Sequence, residues 1–332
     1  MKRVCLATLM ASLLLPWGMP VSAEGADEAA PTREQIEKDL ELRATLTTPA
    51  TITAGDAVNV SLTLHNRSQQ TTHAVVLPSD GSESGWREPH IFYSATVDQG
   101  TGKAAPIEPT RFARCGLYDF NWHKDIRQLK PGEELKLGEW VPQPSMQFEF
   151  QEAGRVKLQA HYRFRAGATK DPNLLNPGTS AMTGVPAFEL VSKSMELVVE
   201  KPLNVVLRAK SPLVAGKTNS LRDLFDVRLV NQSKDTLEIP EPHPALVSFQ
   251  VECKHPDSRP ELLALKGRFT GTLRLEPGEE VALIGEGPRP VGIDGMWEYP
   301  RAETIRVRAM YLGSLNKRPY TIYSKWVEVE VR

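Results

Sequence analysis

This 332-residue chain has only three cysteines, no long apolar run beyond its N-terminal segment and no excess of either charge. Its 40 basic side chains nearly balance 41 acidic ones, so nothing is available to recruit a phosphate backbone by counterion release. Nucleic acid is excluded as a partner on that ground, and the lack of a polybasic run removes an anionic membrane surface. Helical periodicity is nearly missing, and so is the alternation of apolar strands with long amphipathic segments that marks parallel α/β sheets. That removes the folds in which most nucleotide-dependent enzymes are built. The chain also lacks the familiar catalytic signatures. The nearest approach to a serine elbow, Gly81-Ser82-Glu83-Ser84-Gly85, carries Glu83 at its centre. There is no His-Glu-x-x-His, no Cys-x-x-Cys, no phosphate loop and no dinucleotide fingerprint. No catalytic residue, metal ligand or cofactor is therefore assigned.

What is present begins with a targeting signal. Lys2 and Arg3 precede an apolar run from Val4 to Leu15, and Val21-Ser22-Ala23 stands before Glu24 as a cleavage site. Pro16 ends the run short of the roughly 20 apolar residues that a membrane span needs. Residues 1–23 are thus read as a signal peptide, and the mature chain as periplasmic or secreted with no membrane span. Cys5 leaves with the signal, which keeps Cys115 and Cys253, one in each half. In an oxidising compartment two readings stand, a bridge between the halves or two separate thiols.

Residues 24–40 form a polar tether or a short helix, with Thr32 as cap and Gln35 three residues on. From Glu41 the pattern turns to period two: Leu42, Ala44 and Leu46, then Val58, Val60, Leu62 and Leu64. Later strands are expected at His73 to Leu77, Ile91 to Val97, Leu135 to Val141, Arg155 to Arg165 and Glu189 to Glu200. In the fourth of these Val156, Leu158, Ala160, Tyr162 and Phe164 alternate with a basic face that points to water. The second half repeats this grammar in order. Ala54-Gly55 is answered by Ala215-Gly216, Asn66-Arg67-Ser68 by Asn231-Gln232-Ser233, Glu88-Pro89-His90 by Glu241-Pro242-His243, and Pro131-Gly132-Glu133 by Pro277-Gly278-Glu279. Order is kept while spacing drifts, as expected of a duplicated domain whose loops have changed. An all-β chain of two tandem antiparallel sandwiches follows, one over 41–201 with long insertions and one over 202–332, joined by a short linker at Lys201-Pro202 that limits bending.

The run Val58 to Ser68, with its Ala-Gly turn before it and Asn-x-Ser at its end, together with Leu129-Lys130-Pro131-Gly132-Glu133-Glu134, resembles bacterial immunoglobulin-like domains. It is similar to exported immunoglobulin-like, fibronectin-like and cell-adhesion-related modules, and more faintly to a bacterial proteinase-inhibitor sandwich. The resemblance covers both halves and implies the fold, since Pro-Gly places a turn and Asn tolerates left-handed backbone.

Subtracting the shared grammar leaves two segments of the first half without an equivalent, Asp98 to Arg127 and Ala166 to Ala187. The first holds Arg111, Arg114, Cys115, Tyr118, Trp122 and His123, with Trp86 upstream. Aromatic and Arg side chains carry binding energy in interfaces and sugar platforms, though the same rings could cap the open end of the sandwich. The expected function is a non-catalytic binding or scaffold protein that recognises an envelope protein or glycan through Trp86, Arg111, Arg114, Tyr118, Trp122 and His123. The alternative is a hydrolase, or an inhibitor of one, presenting a long first-half loop. The Glu-Pro-His repeats read as proline-shaped strand entries, and the oligomeric state is not encoded in any visible pattern.

Overall fold

The computed structural model describes residues 31–110, 118–119, 121–165, 182, 184–241, 243, 246–254, 261–263 (backbone only), 271–285 and 296–332. The signal segment, Arg111, Arg114 and Cys115 lie outside the described residues, as does most of the 166–187 connection. The chain is all-β, built of antiparallel sheets with a few short helices.

It enters through a helix, Arg33–Asp39, which Thr32 caps by accepting the Gln35 N–H at 3.2 Å. The helix ends where Leu40 adopts extended backbone and starts the first strand. Ile36 and Asp39 are buried beneath it, and Glu37 accepts the Glu189 N–H at 3.2 Å. The helix Arg33–Asp39 is therefore docked on the first half.

In the first half, Leu40–Leu46, Val60–Asn66 and Glu134–Lys136 form one antiparallel sheet. A second sheet joins Thr51–Thr53, Met195–Glu200, Gly154–Phe164, His90–Asp98 and Ala105–Pro106 in that order, with Phe188–Val191 also on Gly154–Phe164. The chain changes sheets between Leu46 and Thr51, and Thr51–Thr53 then runs parallel to Met195–Glu200. Alternate residues of Val60–Asn66 and of Gly154–Phe164 are buried, so the two inner faces make the core.

The second half copies this arrangement. Leu203–Ala209, Phe225–Asn231 and Glu280–Ile284 form the first sheet. Val247–Glu252, Glu303–Leu315, Arg318–Tyr323 and Val327–Val331 form the second. The two-stranded pair His73–Val76 with Ile126–Leu129 is matched by Leu237–Pro240 with Thr272–Leu275. Among the described residues, no sheet pairs a strand before Lys201 with one after it. Two facing antiparallel sheets with a first strand that switches between them are an immunoglobulin-like fold.

The copied turns hold by copied hydrogen bonds. The Asn66 side chain donates to the carbonyls of Thr71 at 2.8 Å and Leu129 at 2.9 Å, and accepts the Ser68 N–H at 3.0 Å. Asn231 donates to Asp235 and Leu275, both at 2.8 Å, and accepts from Ser233 at 2.9 Å. The carbonyl of each Asn receives the N–H of its Pro-Gly-Glu glycine, Gly132 or Gly278, at 2.9 Å. Ser192 and Ser324 likewise accept the Ala160 and Ala309 N–H groups, each at 2.9 Å. These bonds close buried backbone groups that the sheets leave open.

Three expectations need correction. Glu189 to Glu200 is two strands, because Ser192 inserts its hydroxyl into the ladder at Ala160. Leu135 to Val141 is strand only as far as Lys136. Between the first two expected strands the chain forms a further short one, Thr51–Thr53. The end of the Asp98 to Arg127 insertion belongs to the strand Ile126–Leu129, which has an equivalent in the second half.

The halves touch beyond the linker. Arg308 donates to both Glu149 oxygens, at 2.9 and 3.2 Å, while its guanidinium lies 4.0 Å from the Tyr323 ring centroid and 4.8 Å from that of Trp326. Gln151 accepts the Tyr323 N–H at 3.2 Å. Gly55, at φ +88°, faces Thr321 so closely that a Cβ would fall 2.3 Å from its carbonyl oxygen.

Candidate recognition site at the distal end of the first half

Strand direction sorts the first half into two ends. Pairing of His90 with Arg163 and of Asp98 with Arg155 puts Asp98, Gly154 and Glu200 at the end facing the second half. His90, Phe164, Arg165 and Phe188 are at the opposite, distal end. The 67–89 and 166–187 connections both leave from that distal end, which corresponds to the end where variable immunoglobulin domains place their recognition loops.

The distal end is organised by two adjacent charged residues with almost no exposed surface. Arg87 is 2 % exposed and Glu88 0 %. Arg87 pairs with Asp119 and Asp125 through separate guanidinium nitrogens. Glu88 turns the other way, accepting from Arg165 Nε at 3.0 Å, from the Arg165 backbone N–H at 3.2 Å and from the Tyr118 hydroxyl at 3.1 Å. The Arg165 guanidinium also lies 5.7 Å over the Tyr118 ring, and the Asp119 N–H donates to the Trp86 carbonyl at 2.8 Å. Burying charges costs several kcal/mol each unless partners surround them, so this pairing fixes where the 79–90 loop, residues 118–119 and 121–125 and the end of strand Gly154–Phe164 meet.

The electrostatics follow the burial. Burial pushes the Glu88 carboxyl above its ordinary range, with Arg165 and Tyr118 working against it. Burial also works to raise Asp119, but the Asn121 N–H and the Arg87 charge outweigh it and hold this carboxyl low. Burial, then Glu88, raises the Tyr118 phenol. Beside them, burial and the charges of Arg165 and Arg163 lower the His90 imidazole to about 4. Its ring stacks on Phe92 at 4.8 Å, and Phe92 stacks on His161 at 4.5 Å. Gly85 makes room for it, since a Cβ there would meet the His90 ring at 3.3 Å and its φ is +71°.

Tyr118 donates to Glu88 and the Trp86 carbonyl accepts the Asp119 N–H, while Trp122 and His123 belong to the short helix Asn121–Asp125 whose Asp125 pairs with Arg87. Trp86, Tyr118 and His123 are half-buried. Trp122 is 2 % exposed and meets Phe164 edge-on at 5.9 Å, so its ring caps the sheet ends. Arg111 and Arg114 fall outside the described residues. Trp140, 63 % exposed, lies on the connection next to Gln143, whose side chain holds the Val60 N–H, and does not join this group. Cys253 is half-buried, and Cys115 lies outside the described residues, so the choice between a bridge and two separate thiols falls outside them too. Among the described residues, no three His, Cys, Asp or Glu side chains cluster as metal ligands, and no helix is long and apolar enough to cross a membrane.

Sequence reasoning missed Arg87, Asp119, Asp125 and Arg165 as the frame of this end. Arg165 was expected on a water-facing basic face, yet its Nε and N–H close on Glu88.

No family model matches the chain, and no curated protein matches it. Among solved structures it is similar to a Salmonella alpha-2-macroglobulin reacted with methylamine, with a TM-score of 0.35 and 11 % identity over 88 % of this chain and 16 % of that one. An Escherichia coli alpha-2-macroglobulin activated by porcine elastase has a TM-score of 0.28 and 11 % identity over 88 % of this chain and 22 % of that one. The C-terminal domain of the Streptococcus pyogenes antigen I/II-family protein AspA has a TM-score of 0.21 and 7 % identity over 88 % of this chain and 99 % of that one. The chain thus spans less than a quarter of the macroglobulins' length.

Proposed function

We propose that the protein is an exported, non-catalytic binding protein of the cell envelope, made of two immunoglobulin-like domains over 41–201 and 202–332. The distal end of the first domain captures a protein or glycan partner. The observation that carries this reading is the Arg87-Glu88 pair, which clamps three separate connections onto one platform beneath the half-buried rings of Trp86 and Tyr118. A platform fixed before binding lowers the ordering cost that a loop surface otherwise incurs, and loops on a rigid sandwich are where recognition concentrates.

Removal of the whole Asp98 to Arg127 segment would test the fold rather than the binding, because Asp119 and Asp125 leave Arg87 buried without a carboxylate. The cleaner experiment places photo-crosslinking side chains at Trp86 and His123, with Trp140 as the reference position, and pairs this with a glycan array. Partner capture is expected from 86 and 123, and it should be lost in Trp86→Ala combined with His123→Ala while Trp140→Ala retains it. Capture that survives the double substitution, or that arises from Trp140 alone, places recognition elsewhere. Export is tested separately by N-terminal sequencing of the mature protein, expected to begin at Glu24.

A further inference from the structure

We infer that the cleft between the two halves is a binding site for a small oxyanion, a carboxylate or a phosphate group, held between Lys201 and Lys325. The cleft has a volume of about 460 Å³ and is lined from both sides, by Gln99, Glu152 and Lys201 of the first half and linker and by Asn204, Gln232 and Lys325 of the second. That size is within the range of small-molecule sites, which favour the seams between domains.

The charge in this cleft is what calls for a ligand. The Lys201 side chain is 6 % exposed, and its ammonium has Glu152 Oε1 as an ion-pair partner at 3.5 Å. An ammonium has three N–H donors, and Lys201 lines the cleft with one carboxylate oxygen as its ion-pair partner. Glu152 itself is 40 % exposed and shared with solvent. Burial holds the Lys201 ammonium below the ordinary lysine range; Glu152 opposes this and Lys325 adds to it. Two cations against one anion leave a net single positive charge at a partly desolvated site. A monoanion between the two ammonium groups would relieve their repulsion and add charge-assisted contacts, which are stronger than neutral ones. The amides of Gln99, Asn204 and Gln232 supply neutral donors and acceptors around it.

This site is distinct from the distal end of the first half, and neither reading depends on the other. The test is an NMR titration of the isotopically labelled full-length mature protein with inorganic phosphate and, separately, acetate. Saturable shifts are expected at Gln99, Glu152, Lys201, Asn204, Gln232 and Lys325, and the anion that saturates at lower concentration identifies which oxyanion the site prefers. Lys325→Gln, at an exposed position, should weaken that binding about tenfold, as expected for loss of one charge-assisted contact. Lys201→Met should do the same, and its spectrum reports whether the variant is folded. Shifts that rise linearly without saturation, shifts scattered over exposed lysines elsewhere, or unchanged affinity in Lys325→Gln would overturn the proposal.

Discussion

Glu88 draws partners from residues 118 and 165, and it is fully enclosed, so its loss cannot be made good by water. Glu88→Ala would leave the Arg165 guanidinium, itself 41 % exposed, to find solvent. That partial escape reduces the cost from the 3–5 kcal/mol typical of a broken buried pair to about 2 kcal/mol, measurable by denaturant unfolding. His90 makes a pH-dependent contribution. Its imidazole titrates at about 4 in the folded chain against 6.5 ordinarily, so between these values the unfolded chain binds a proton that the folded one does not. The His90 contribution is complete above pH 6.5 and is lost as pH falls toward 4. Glu88, held high by burial, acts with the opposite sign, favouring the folded state at low pH and losing that contribution as pH rises. Comparison of wild type with His90→Gln separates the two. The stability difference between them should decline from pH 7 to pH 4.5, and ring resonances should show His90 still neutral at pH 5. A difference that does not change with pH would refute this assignment.

At the scale of strands and turns, the duplication becomes a matched experiment. Asn66→Ala removes two donated bonds and one accepted bond, and Asn231→Ala, whose oxygen also accepts the Ser233 hydroxyl, removes two donated and two accepted from the equivalent turn. Each is expected to destabilise by about 2–3 kcal/mol. Ser192→Ala and Ser324→Ala, which orphan one buried N–H apiece, should cost about 1–2 kcal/mol. Equal effects within each pair, read from denaturation midpoints, would show that the copied turns carry equal weight; a silent partner in either pair would show that one copy has lost its role. The turns were legible in the sequence because Asn-x-Ser and Pro-Gly-Glu have local backbone preferences, and the long strands because their burial has period two. That the Asn carbonyl meets the distant glycine was not legible, since pairing is a tertiary choice. Nor was the interruption at Ser192, where a polar side chain substitutes for the ladder inside an otherwise regular apolar alternation. The distal frame was hidden for a related reason. Trp86, Tyr118 and Trp122 stand out by residue type, whereas Arg87, Asp119, Asp125 and Arg165 look like ordinary surface charges until the fold encloses them.

Across the whole molecule, the relation between the halves rests on few side chains. Arg308 joins Glu149 to the rings of Tyr323 and Trp326 and to the Gln250 side-chain oxygen, so Arg308→Ala should leave the first half as stable as before and cost the second about 1–2 kcal/mol. It should nevertheless broaden the distribution of distances between spin labels placed at the exposed positions Glu196 and Glu328. A width equal to that of wild type would mean that Arg308 does not restrain the pair. Gly55 sets a different kind of limit. At this point the two halves meet backbone to backbone, with no side chain between them to shrink, rotate or be trimmed. Position 55 therefore works like the pivot of a caliper. Its clearance is set by atomic radii, and any bulk introduced there would be magnified along the first half into a much larger displacement of its far tip. Loops at that tip are free to lengthen and diversify without disturbing the joint, while the joint itself cannot gain a single methyl group without re-aiming everything the tip presents.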